Sequence, residues 1–172
     1  MNAFWAVIPI ILIRYVPLRF INKESLSRAG TYAPLIGREK IAYWIYQITT
    51  ALMLLSLLLL KIKTDSYLFF IGLILYISGI ILYALSVISF AKPNNNGLNL
   101  NGLYKISRNP MYVSYFISFL GCVFLTRSYI LLILLIIFQI SAHFIILSEE
   151  RWCIQKFNDE YMQYMRRVRR YF

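Results

Sequence analysis

The sequence predicts an all-α membrane protein of about five transmembrane helices, a C-terminal helical hairpin among them, followed by a cytoplasmic amphipathic helix. Three observations carry this expectation. Apolar side chains make up 60% of the 172 residues and charged ones 15%, a balance too oily for a water-soluble domain of this length. The apolar residues fall in runs near the roughly 20 residues that a bilayer core of about 30 Å requires. The basic residues are concentrated between and after those runs.

Residues 3–18 form the weakest candidate span, since they are few, include Arg14 and carry Pro9 and Pro17. Residues 41–60 form the surest, flanked by Lys40 and Lys61. Residues 67–90 are longer and uncharged and should cross with tilt. From 111 to 148 the only charge is Arg127, in a stretch too long for one crossing. It reads as a hairpin with arms 111–125 and 129–148 and a turn at 126–128; one very long helix is the alternative. Charge decides between them. With five spans, segments 14–40, 92–108 and 151–170 share one side and hold 15 of the 18 basic residues, leaving Lys61, Lys63 and Arg127 opposite. Without the hairpin, 6 of the 15 would change sides. The positive-inside bias then puts the rich side in the cytoplasm and the N-terminus outside.

Such a chain is expected to be a single membrane-embedded domain over 1–172, with N-terminal spans in 1–90 and a loop, hairpin and tail in 91–172. Residues 93–97, Pro-Asn-Asn-Asn-Gly, mark a turn leaving the second long span. The long polar loops, 22–40 and 91–110, both face the cytoplasm in this topology, so any site belongs to loops and helix ends.

Several function classes fall away. A net charge of +11 could suit nucleic acid, but membrane headgroups account for its distribution, so no nucleic-acid partner is expected. Cys122 and Cys153 form no CxxC, and His143 is the one histidine, so no metal site is expected. No basic residue precedes the first apolar run, so no secretory signal is expected either.

Two constellations remain. The first runs from Gly102 through Leu103, Tyr104, Arg108, Asn109, Pro110 and Tyr112, ahead of a hydrophobic arm that Pro110 is suited to start. Read alone, it is an interfacial loop with tyrosine and basic anchors. The second begins with Glu149 and Glu150, where acidic groups at the cytoplasmic end of a span oppose both the helix dipole and the positive-inside pattern. They serve either a binding site or solvated pairs with Arg151 and Lys156. Gln139, His143 and Glu150 share one helix face, which should turn toward protein or a wet cavity. Beyond them, Phe157, Tyr161, Tyr164 and Val168 make an apolar stripe with Lys156, Arg166, Arg167 and Arg170 off it, predicting a helix along the interface.

At these residues the chain resembles the isoprenylcysteine carboxyl methyltransferases and the related phospholipid N-methyltransferases. The run Gly102-Leu103-Tyr104 to Arg108-Asn109-Pro110-Met111-Tyr112 is similar to their G-P-Y-x-x-x-R-H-P-x-Y-x-G signature. Glu149-Glu150, Phe157, Glu160-Tyr161, Tyr164, Val168 and Arg170 resemble their E-E-x-x-L, F-G-x-E-Y-x-x-Y and V-P-R elements. The chain departs at Leu103 and Arg169, where the families have Pro, at Ser114 and Asn158, where they have Gly, and at Asn109, where His is usual. Some phospholipid N-methyltransferases share the Asn-Pro.

The resemblance implies a cytosol-facing pocket for S-adenosylmethionine between the 102–112 loop and the tail, open to lipid so that a lipophilic methyl acceptor enters from the bilayer. In that pocket Arg108 and Arg170 are candidates for the cofactor carboxylate, and Glu149 and Glu150 for its ammonium or ribose hydroxyls. Tyr104, Tyr112 and Tyr161 would pack on it, with Gly102, Asn109 and Pro110 shaping the loop. Glu150, Arg170 and His143 are the catalytic candidates. A site poor in titratable groups favours a carboxylate acceptor, which needs no base, over an amine or thiol, for which His143 or a glutamate would take the proton. Two alternatives stay open: a nicotinamide-dependent membrane reductase of the sterol type, and a non-enzymatic membrane adaptor.

Overall fold

A computed structural model describes residues 1–21, 23–94 and 96–171. Among them the fold is helical: a 3₁₀ turn at Ala3–Ala6, α1 (Val7–Ile21), α2 (Lys23–Gly30), α3 (Glu39–Leu59), α4 (Leu68–Phe90), a second 3₁₀ turn at Gly102–Lys105, α5 (Pro110–Thr126) and α6 (Tyr129–Arg167). Four stretches, Ala3–Ile21, Glu39–Leu59, Leu68–Phe90 and Tyr129–Arg167, are long and apolar enough to cross a bilayer. The fifth apolar helix, Pro110–Thr126, has 17 residues, or roughly 26 Å at the helical rise, and falls just short of a full crossing.

The hairpin is present. Arg127 takes a left-handed conformation (φ 50°, ψ 41°) that ends α5, and Ser128 caps α6 by accepting from the Leu131 amide at 3.2 Å. Outward faces of the long helices carry Ile41, Ile48, Ile74, Ile81, Ile133 and Ile140 at helical spacing, the apolar surface that lipid requires. Inside, α4 and α5 approach closely at small residues. A Cβ on Gly79 would lie 2.5 Å from the Ser118 amide nitrogen, and one on Gly121 2.5 Å from that of Tyr76. Stacking of Tyr46 on Phe138, with ring centres 4.9 Å apart, joins α3 to α6.

The helices alternate in direction, so the loops sort to two ends. At one end the N-terminus adds to the α3–α4 loop (Ala3 N–H to Leu60 C=O, 2.9 Å), and Asp65 pairs with Arg127. At the other end lie the described residues of segments 23–38, 91–94, 96–109 and 149–171, where most of the basic residues of the sequence fall. Two expectations need correction here. Residues 22–40 contain a helix, α2, docked on the post-α4 loop through Ser25 to the Ala91 carbonyl (3.4 Å) and Arg28 to the Gly97 carbonyl (3.1 Å). The tail stripe does not lie on lipid: α6 spans 39 residues, about twice a bilayer crossing, and joins two helical segments across a kink. It bends at Asn158 (φ 45°, ψ −124°), and the stripe of Phe157, Tyr161, Tyr164 and Val168 packs on Leu98 and Leu100 instead of lipid. Protein supplies the apolar partner that a surface stripe would have sought in the membrane.

Candidate active site

Between the 102–112 loop and α6 the chain closes a cavity of about 600 Å³, within the usual range of small-molecule sites. Its framework is the loop itself. Gly102 takes φ 57°, and a Cβ there would strike the Ser89 hydroxyl, so only glycine allows the chain to turn against α4. Pro110 opens α5 at the position where its missing N–H is harmless. The tail then lies along the loop: Arg108 N–H donates to Arg169 C=O (3.0 Å), and Asn109 Nδ2 and the Ser107 hydroxyl donate to Arg170 C=O (3.2 and 3.3 Å). The Tyr164 hydroxyl closes the strap on the Tyr104 carbonyl at 2.6 Å.

This strap holds an ion cluster. The Glu150 carboxylate, 5% exposed, meets Arg108 Nη2 at 3.2 Å and Arg170 Nη2 at 2.8 Å, with Arg170 Nε 3.1 Å from both of its oxygens. One carboxylate between two guanidiniums leaves the cluster cationic, and Arg108 Nε is buried without a hydrogen-bond partner. An orphaned donor beside a cavity is an invitation to an anionic ligand. Next in sequence, Glu149 reaches the cavity and accepts from the Tyr112 hydroxyl at 3.1 Å. Among the described residues it has no basic partner within ion-pair distance. Burial holds the Tyr104 phenol far above its ordinary pKa, so it faces the site as a neutral ring and hydroxyl.

Of the residues singled out from sequence, Tyr104, Arg108, Asn109, Tyr112, Glu149, Glu150 and Tyr161 line the cavity. Gly102 and Pro110 build its loop from behind. Arg170 does not line the cavity; its guanidinium pairs with Glu150. His143 is also outside, hydrogen-bonded through Nδ1 to the Tyr171 hydroxyl at 2.7 Å, so the face shared with Glu150 does not converge on one site. Nor are the glutamates solvated partners of Arg151 and Lys156: Arg151 pairs with Glu39 across to α3, and Lys156 sits 4.6 Å over the Trp152 ring.

The N-terminal half supplies walls that the motifs did not reveal, including Arg14, Tyr32 and Tyr46. Arg14 was legible in principle, because a charged residue within an apolar run is by default a functional candidate.

No curated protein matches the chain. The sequence profile of the phospholipid methyltransferases does match it, over residues 67–160, from the start of α4 through the loop and hairpin into the tail. The match covers more than half of the protein and includes both glutamates and the whole 102–112 loop. The chain belongs to the phospholipid methyltransferase family.

Proposed function

We propose that the cavity binds S-adenosylmethionine and that the protein methylates the carboxylate of an isoprenylcysteine-type lipid entering from the bilayer. Methyl transfer to a lipophilic acceptor follows from the family; the residue roles and the acceptor are our reading. The observation that carries it is a pair of complementary groups lining one cavity: Arg108, whose buried Nε has no hydrogen-bond partner, and the Glu149 carboxylate, whose partner is a neutral hydroxyl. A zwitterionic amino-acid moiety fits that pair, its carboxylate toward Arg108 and its ammonium toward Glu149. Tyr104, Tyr112 and Tyr161 offer rings for an adenine or a sulfonium.

When bound, S-adenosylmethionine supplies a methyl group already activated by positive sulfur. The protein's share is then alignment and exclusion of water. Glu150 and Arg170 act as positioning residues that fix Arg108, and the 168–170 strap holds the loop against the tail. With His143 outside the cavity, the site is poorer in bases than its sequence suggested, which suits an acceptor carboxylate that needs no deprotonation. A second reading, a phospholipid amine, is favoured by the family matched, and Glu149 is then the group placed to take the proton. In both readings the end that holds most of the basic residues faces the cytoplasm, with the mouth of the cavity there.

Incubating the purified protein with methyl-labelled cofactor and a membrane-lipid extract tests the proposal. Base-labile label in an acidic lipid supports the carboxylate reading, base-stable label in an amine lipid supports the second, and no labelled lipid contradicts both.

A further inference from the structure

Arg14 stands about two turns into α1, within a span, yet its guanidinium faces neutral groups. Nη2 donates to the Ala29 carbonyl at 2.9 Å and Nη1 to the Tyr115 hydroxyl at 3.4 Å, itself 2.6 Å from the Tyr83 hydroxyl. These bonds use two of five guanidinium N–H groups, and the Tyr83 hydroxyl is close enough to engage a third. Among the described residues no carboxylate lies within ion-pair distance of it. A cation in an apolar span is costly and normally finds a counter-charge or lines a wet path. Arg14 lines the cavity, and Tyr32 lies within electrostatic reach of both Arg14 and Glu149. Its depth separates it from the cofactor groups: Tyr115 is one turn farther along α5 than Tyr112, hence about 4.5 Å deeper from the loop end.

We infer that Arg14 is the receptor for the anionic group of the lipid acceptor, a carboxylate or a phosphodiester carried just above the acyl chains. Tyr115 and Tyr83 hold the guanidinium in place, and Ala29 ties it to α2, leaving the remaining N–H donors for a planar or tetrahedral anion. The site thereby has two anion positions at different depths, Arg108 near the loop and Arg14 toward the acyl chains. Selectivity among lipids falls to the second. This inference rests on the cavity being the methyl-transfer site, and it is tested by lipid binding without turnover.

The experiment titrates protein in neutral maltoside detergent with three single-chain probes: oleate, lysophosphatidylethanolamine and uncharged monooleoylglycerol. Wild type should bind oleate or the zwitterionic phosphate probe, each of which carries an anionic group, roughly tenfold or more tightly than the glyceride, the worth of a hydrogen-bonded charge. Preference for oleate identifies a lipid acid, and preference for the phosphate probe identifies a phospholipid. Arg14→Gln should abolish the preference, and Arg14→Lys should keep part of it, with S-adenosylmethionine affinity unchanged in both. Equal binding of all three probes by wild type would overturn the inference, as would a preference that survives in Arg14→Gln. The wild-type comparison decides even if the Gln variant does not fold. Failure of wild type to bind S-adenosylmethionine counts against the methyl-transfer reading and is read separately from the lipid titration.

Discussion

Replacing Glu150 by Gln removes the single carboxylate that Arg108 and Arg170 share. The two arginines do not suffer alike. Arg108 is 8% exposed with an unpartnered Nε, so its guanidinium is left as an uncompensated buried charge, a situation that costs on the order of 3–5 kcal/mol. Arg170 is 31% exposed, so water screens it and its share stays within about 1 kcal/mol. Because Gln keeps one acceptor oxygen, the total should sit near the low end, about 3 kcal/mol. For a chain of this size that corresponds to a fall in Tm of roughly 6–12 °C. Thermal unfolding in detergent measures it. The double variant Arg108→Met with Glu150→Leu should recover most of the loss, since an apolar pair of similar volume replaces a buried ion pair at little cost. It should still bind S-adenosylmethionine poorly. An unchanged Tm in Glu150→Gln would refute the idea that this carboxylate holds Arg108 in place.

Asn158 occupies a backbone region that favours glycine, so Asn158→Gly should raise stability by about 1 kcal/mol, read as a higher Tm with cofactor affinity retained. Gly79→Ala places a methyl against the Ser118 backbone and should lower stability by about 1–3 kcal/mol in the same assay, with overpacking of α4 on α5 as the cause. Reporter fusions within loop 91–109 and at the C-terminus should report the cytoplasm for both, and opposite sides would contradict the shared site.

Much of the architecture was readable because burial in lipid leaves a coarse signal. The span expected at 41–60 is Glu39–Leu59, that at 67–90 is Leu68–Phe90, and the turn at 126–128 falls where Arg127 breaks the hairpin. What escaped depends on which neighbour a side chain meets. The Tyr161 and Tyr164 stripe has the same spacing whether it faces lipid or Leu98, so periodicity cannot choose. Arg108 and Arg170 look equivalent in a motif, yet folding places one on the cavity wall and the other behind Glu150. His143 shares a face with Glu150, but a partner 28 residues on, Tyr171, claims it. The Asn158 bend left one trace, since it stands where the resembled families have glycine.

The central claim is that the cavity wall formed by Glu149 and Arg108 binds the amino-acid end of S-adenosylmethionine. Calorimetric titration of that cofactor into wild type and Glu149→Gln tests it most directly. Gln keeps the shape and can still accept from Tyr112, and among the described residues no cation depends on Glu149, so the Tm should hold. Cofactor affinity should fall by about 1.5–3 kcal/mol, the usual worth of a hydrogen bond to a charged group, or roughly 10–150-fold. Wild-type affinity in Glu149→Gln would contradict the account, as would a loss of affinity that merely follows a collapse in Tm.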